Sequence, residues 1–263
     1  MSVATLPSEA SALKDRIASS EQEFFDSLVR DQGSFNPFSD AGWDTIERRF
    51  VEFIAPQPGE RLLDIGCGTG ESRKLYVDHV GSYTGIDLSE ASVKFARQRF
   101  PESHWQTANA CELPFDDGSF DVVAFSSVLH HIDNYELALK EARRVLAPGG
   151  RVFAFDPNVL HPAMALFRKP ESPLYLSAGV SPNERPLRPG DLRARFQAAG
   201  LASIRQRAQS NIPYRHVAPR LMNSALSLYN LADRIWEACG LGRWLGTFVI
   251  TAATRDAPGN EQA

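Results

Sequence analysis

Leu62-Leu63-Asp64-Ile65-Gly66-Cys67-Gly68-Thr69-Gly70 reads as a short apolar strand that ends in an acid and runs into three glycines at alternate positions. Glycine there permits positive φ and carries no Cβ, so a ligand can press against bare backbone. The spacing is G-x-G-x-G. The dinucleotide-binding pattern G-x-G-x-x-G keeps its third glycine one residue later, for helix–strand packing beside a pyrophosphate. Taken alone, the triplet leaves a simple turn and a nucleoside loop both open.

Outward from this loop, strand and helix alternate. Strands are predicted at 61–65, 82–86, 104–107, 120–126 and 150–156, with helices near 70–78, 89–99 and 134–146. Alternation at this spacing implies right-handed βαβ units and a parallel sheet covered on both faces. Two helices precede it, at about Leu13 to Arg30 and from Asp40 to before Pro56. After Asp156 the pattern changes: residues 157–188 hold six prolines, a helix follows from Pro189 to Ala199, and strands at 202–209 and 247–254 flank a helical stretch over 210–245.

Tyr83-Thr84-Gly85-Ile86-Asp87 puts a second acid at a strand end, about 20 residues after the glycines. A ribose sits there in this architecture, and a carboxylate accepts hydrogen bonds from both hydroxyls. Such an acid often caps the next helix instead, but Ser89 can take that role and free Asp87. Three further segments follow in order: Asn109-Ala110-Cys111-Glu112-Leu113-Pro114-Phe115, Ser126-Ser127-Val128-Leu129-His130-His131, and Leu146-Ala147-Pro148-Gly149-Gly150.

With these motifs in sequence, the chain resembles the class I S-adenosylmethionine-dependent methyltransferases, in the small-molecule branch of the ubiquinone and menaquinone methyltransferases. The resemblance covers about 60–157. It implies an α/β, Rossmann-like seven-stranded sheet of order 3-2-1-4-5-7-6 with strand 7 antiparallel, and helical insertions over the C-terminal rim. It also implies S-adenosylmethionine as cofactor. Asp64, Gly66, Cys67, Gly68 and Gly70 would then hold its methionine end, Asp87 the ribose and Leu88 the adenine. Asn109 stands where an aspartate usually meets the adenine amino group, and its amide oxygen can still accept that bond. Ala110 would offer a backbone N–H, and Ser126 a carbonyl for the ammonium group.

A sulfonium is already a strong methyl donor, so catalysis rests on placing a nucleophile in line with the methyl. A hydroxyl acceptor also needs a general base. His130 and His131, just past the fourth strand, are the candidate catalytic residues; His161 and Asp156 are weaker candidates, and His216 lies in the late insertion. No third ligand at metal spacing accompanies the paired histidines, so no metal is expected.

In an open parallel sheet, ligands bind outside the carboxyl ends of the strands. The insertions at 157–188 and 210–245 leave the sheet at that end, and the loop with Phe35, Phe38 and Trp43 can close a third side. The late insertion carries Leu221, Met222, Ala225, Leu228, Tyr229, Ala232, Ile235 and Trp236 at 3–4-residue spacing, one apolar stripe expected to pack on the domain. A greasy acceptor pocket, a dimer face and a peripheral membrane contact are the other readings. Between Met164 and Arg243 stand twelve Lys/Arg against five Asp/Glu, and Arg168, Arg185, Arg188, Arg215 and Arg220 would suit an anionic group on the acceptor.

Size and composition fit this picture. A chain of 263 residues with 43% apolar and 23% charged residues suits one α/β domain, here 56–255, behind N-terminal helices and a lid at 13–55. Residues 1–12 and 256–263 are expected to be disordered. The net charge of −4 argues against nucleic acid as a general partner. No apolar run reaches a membrane span, and the start lacks a signal-peptide pattern. Three scattered cysteines suit a reducing, cytoplasmic setting. The reading is a methyltransferase of a small organic acceptor, at a hydroxyl oxygen first and with carbon and nitrogen left open, monomeric or homodimeric. Its alternatives are a methyltransferase of tRNA or protein, and a non-catalytic cofactor-binding partner protein.

Overall fold

The computed structural model describes residues 9–177, 180–215 and 226–257. Seven strands form one sheet: β1 (Arg61–Ile65), β2 (Ser82–Asp87), β3 (His104–Thr107), β4 (Phe120–Ser126), β5 (Leu146–Pro157), β6 (Ala202–Gln209) and β7 (Phe248–Thr254). Their order is β3-β2-β1-β4-β5-β7-β6. β1 to β5 run parallel, whereas β7 is antiparallel to both β5 and β6. This is the predicted topology.

β1 lies between β2 and β4 in the middle of the sheet, and four of its five residues are buried. Alternation along β5 divides the core. Phe153 and Phe155 turn to the face that holds Phe50 of α2 (Asp40–Ile54) and Tyr76. Val152 and Ala154 turn to the face covered by Leu139 and Ala142 of α4 (Tyr135–Val145) and by Leu192 and Phe196 of α6 (Pro189–Ala198). Each fully buried Phe or Leu here contributes roughly 1.5–3 kcal/mol. α3 (Glu90–Arg99) starts from Ser89, whose Oγ accepts from Ser92 N at 3.0 Å, the cap that frees Asp87.

Several boundaries differ from expectation. The helix predicted at 70–78 is a single 3₁₀ turn, Glu71–Leu75, because Ser72 donates to buried Asp64 and Tyr76 is drawn under the sheet against Phe50. β5 starts at Leu146 rather than 150, since Leu146 already pairs with Phe120 and a bulge absorbs Pro148-Gly149. α1 runs over Glu9–Gln32, so residues 9–12 are helical, in keeping with Glu9, Ala10 and Ala12 as helix formers. The remaining parts of the expected disordered ends, 1–8 and 258–263, lie outside the described residues, as do His216, Arg220, Leu221, Met222 and Ala225. Over 210–245 the described helices are α7 (Leu226–Ala238) and α8 (Gly242–Leu245); within 157–188, α5 spans Pro162–Phe167.

Candidate active site

The glycine loop turns on backbone bonds. Gly66 N and Cys67 N both donate to Ile86 O, at 2.9 and 3.0 Å, and Gly66, Gly68 and Gly70 all have positive φ. Asp87, at the end of β2, clamps the loop: its Oδ2 accepts from Gly68 N at 2.9 Å and its Oδ1 from Ser89 N at 2.9 Å. Burial raises the Asp87 pKa, and these two N–H groups oppose the rise.

Two glycines of the loop have different surroundings. A Cβ on Gly66 would collide with the Val128 side chain, whereas a Cβ on Gly68 would meet nothing within 4 Å. Gly68 lines a cavity of about 980 Å3, so its missing side chain leaves room for a ligand. Gly68→Val is therefore expected to weaken cofactor binding at least about tenfold while costing only about 1–2 kcal/mol for its left-handed φ. Gly66→Ala is expected to lower the melting temperature more. Calorimetric titration and thermal melts of the two variants check this, and equal effects of both on affinity and melting would refute it.

The cavity follows the carboxyl ends of β1, β2 and β4. Gly66, Cys67, Gly68, Asp87, Leu88, Asn109, Ala110, Ser126, His130 and His131 all line it. Asp64 and Gly70 are not among its lining residues. Asp64 is fully buried behind the wall, where it accepts from Ser72 Oγ at 2.6 Å, Tyr83 OH at 2.8 Å and Ser126 Oγ at 2.5 Å. Burial pushes its pKa up to about 6, and the three hydroxyls restrain the rise. It thus reaches the cavity only through Ser72 and Ser126, two lining residues that it fixes. Asn109 turns its amide oxygen onto Cys111 N, 2.9 Å away, so that oxygen is already engaged in its own loop.

His130 sits on a 3₁₀ turn directly after β4, and Asp156 at the end of neighbouring β5 faces it. Nδ1 of His130 lies 2.9 Å from Asp156 Oδ1, which also accepts the His130 backbone N–H at 3.2 Å. Asp156 Oδ2 is buried without a hydrogen-bond partner. Burial pushes Asp156 up to about 8 and His130 down to about 4, favouring the neutral form of each. His131 points elsewhere: its Nδ1 meets Ser181 Oγ at 2.8 Å and lies 3.5 Å from Glu21 Oε2. His161 is buried outside the cavity lining, packed on Tyr229 and Trp236, which removes it from the candidate bases.

α1 forms one side of the cavity, a role not read from the sequence. Its Phe24, Phe25 and Leu28 line it. Two carboxylates fasten the helix. Glu21 accepts from Asn183 N at 2.6 Å, and Asp26 accepts from Ser89 Oγ at 2.5 Å and Ala91 N at 3.1 Å. Burial alone would raise Glu21, but His131, Ser181 and the Asn183 N–H outweigh it and lower its pKa. The expected loop wall is also present: Phe35 N donates to Thr69 Oγ1 at 3.3 Å, and Phe38 and Trp43 line the cavity.

Beyond the histidines the lining is mostly apolar, with Phe155, Met164, Tyr214 and Phe248. Arg168 is the one arginine of the expected cluster on this lining, and Glu184, also lining, faces it at 3.6 Å. Arg215 pairs with Asp40 at the exposed surface and Arg188 caps α6. The cluster expected for an anionic acceptor group is therefore not brought together among the described residues.

A family model described as "Methyltransferase domain" matches residues 63–154. The demethylmenaquinone methyltransferase of Symbiobacterium thermophilum is 32% identical over 147 residues, 52% of this chain and 59% of that protein. The O-methyltransferase cnsE of Penicillium expansum is 35% identical over 139 residues, 50% of this chain and 48% of that protein. The chain thus spans about half the length of these curated relatives. Among solved structures, an S-adenosylmethionine-dependent methyltransferase of Thermotoga maritima, titled a possible histamine N-methyltransferase, has a TM-score of 0.61 at 20% identity; the match covers 90% of this chain and all of that one.

Residues 63–154 match the methyltransferase-domain model, and sheet order and glycine loop are those expected from the resemblance to class I S-adenosylmethionine-dependent methyltransferases. Within that class, its sequence resembles the ubiquinone and menaquinone type. The residues present fit the cofactor: a bare Gly68 backbone for close approach, Asp87 for a diol, and no built phosphate cradle demanded.

Proposed function

We propose that this protein moves a methyl group from S-adenosylmethionine to a hydroxyl oxygen of a small, mainly apolar acceptor, with the His130–Asp156 pair as general base. One observation carries the reading: His130, backed by the buried carboxylate of Asp156 at 2.9 Å, lines the same cavity as the glycine loop and Asp87. The cofactor, when bound, supplies an electrophilic methyl. Gly66, Cys67, Gly68 and Ser126 would hold its amino-acid end, Asp87 its ribose, and Leu88 and Ala110 its adenine. Asn109 would offer the adenine its amide nitrogen side, since its oxygen is turned to Cys111.

The chain's own residues then do three things. The apolar walls from α1, β5 and β7 exclude water and set the acceptor's plane. Asp156 holds the His130 ring through Nδ1. His130 Nε2 takes the acceptor's proton once the pair has lost its shared proton to bulk solvent. Ionising a ring hydroxyl also raises electron density at adjacent ring carbons, so the same pair could serve carbon transfer.

The test is a kcat profile against pH. Because Asp156 is raised to about 8, the uncharged pair predominates below that value and its base form above it. The rate should climb with unit slope from about pH 6 and level above about 8. A profile flat from pH 6 to 9 with a weakly acidic phenol as acceptor would exclude this pair as the base.

A further inference from the structure

α7 buries polar side chains while leaving large apolar ones exposed. Asp233 is buried and accepts from Asn211 N at 2.7 Å and Thr247 Oγ1 at 3.0 Å, while Asn230 exchanges bonds with the Tyr214 backbone. Its apolar stripe faces out: Leu228 is 70% exposed, Ile235 56%, and Leu231 and Ala232 share that face. Of the stripe expected to pack on the domain, Tyr229 and Trp236 do so, against His161, whereas Leu228, Ala232 and Ile235 face out because the buried carboxylate and amide hold the neighbouring face inward. α8 extends the surface with Trp244, 67% exposed, and Leu241. Such contiguous exposure of large apolar side chains marks a contact surface.

We propose that α7 and α8 seat this protein on a membrane surface rich in anionic phospholipid. Three features select that occupant. The charges exposed on these two helices are Arg234 and Arg243; of the acids, Asp233 is buried and Glu237 is paired with Arg207 at 3.2 Å. Leucine and isoleucine flanked by arginine, with a tryptophan at the border, is the composition of a helix lying in the headgroup region. A two-fold copy is disfavoured, because a self-complementary patch would set these cations against one another with no exposed acid to answer them. The surface adjoins the cavity wall: α5 carries Met164 into the lining, and His161 at its start packs on Tyr229 and Trp236 of α7. An apolar acceptor could pass from the bilayer along this edge.

The test is flotation of the full chain with vesicles of phosphatidylcholine alone and with about a third phosphatidylglycerol. The wild type should float with the anionic vesicles and bind the neutral ones weakly. The triple variant Leu228→Ser, Ile235→Ser, Trp244→Ser should lose at least about tenfold in partitioning, with S-adenosylmethionine affinity and melting temperature unchanged. Arg234→Gln with Arg243→Gln should lose the preference for the anionic vesicles. Failure of the wild type to float, or equal flotation of the triple variant, overturns the proposal. A dimer in sedimentation that the triple variant dissolves, without vesicle binding, would assign the face to a second copy. None of these outcomes bears on the methyl-transfer reading, which is measured separately with a water-soluble acceptor.

Discussion

Asp87→Ala should weaken S-adenosylmethionine binding at least about a hundredfold. Its carboxylate would take two ribose hydroxyls, and hydrogen bonds to a charged group are worth about 1.5–3 kcal/mol each, so losing both costs about 3 kcal/mol or more. The variant also releases Gly68 N and Ser89 N, which now share the two carboxylate oxygens. Asp87→Asn keeps the shape but can accept with only one of its two terminal atoms, so it should fall between wild type and alanine. Isothermal titration gives the affinities, and thermal melts separate loss of the site from loss of the fold. An alanine variant that melts normally and binds within threefold of wild type would remove Asp87 from the site.

His130→Ala should lower kcat by about 10²–10⁴ while cofactor affinity stays within about threefold, since a positioned base contributes that much to a proton-coupled step. Asp156→Asn should lower kcat less and abolish the rise towards pH 8, because an amide cannot hold the shared proton. The choice of acceptor sharpens the distinction. An acceptor already ionised at the assay pH needs no base, so the His130→Ala defect should shrink towards nothing with it. A defect of equal size for both acceptors would mean that His130 only packs the wall.

The sheet was legible because each of its signals is local. The 61–65 run before the glycines, the acid closing 82–86 and the Leu146-to-Gly150 turn each constrain a few consecutive residues, and strand alternation then leaves few topologies. The candidate site was legible for the same reason wherever the loops follow strand ends, which brings Gly68, Asp87, Ser126 and His130 to one cavity. What escaped depends on distant pairs. Asp64 reads as a ligand until Ser72, Tyr83 and Ser126 are seen to converge on it. Glu21 carries no local signal, yet it bonds a residue 162 positions away. His161 and Asp156 look equally placed after β5, and only packing on Trp236 separates them. The α7 stripe shows the same limit: periodicity tells that one face is apolar, not which way it turns.

The most direct measurement is the fate of a labelled methyl group. The purified protein is incubated with methyl-labelled S-adenosylmethionine and a panel of hydroxylated aromatic acceptors. The label should appear in an organic-extractable product, matched mole for mole by S-adenosylhomocysteine and lost with His130→Ala. Cofactor binding with no transfer to any ionisable acceptor, or label recovered in tRNA or protein instead, would contradict a small-molecule methyltransferase.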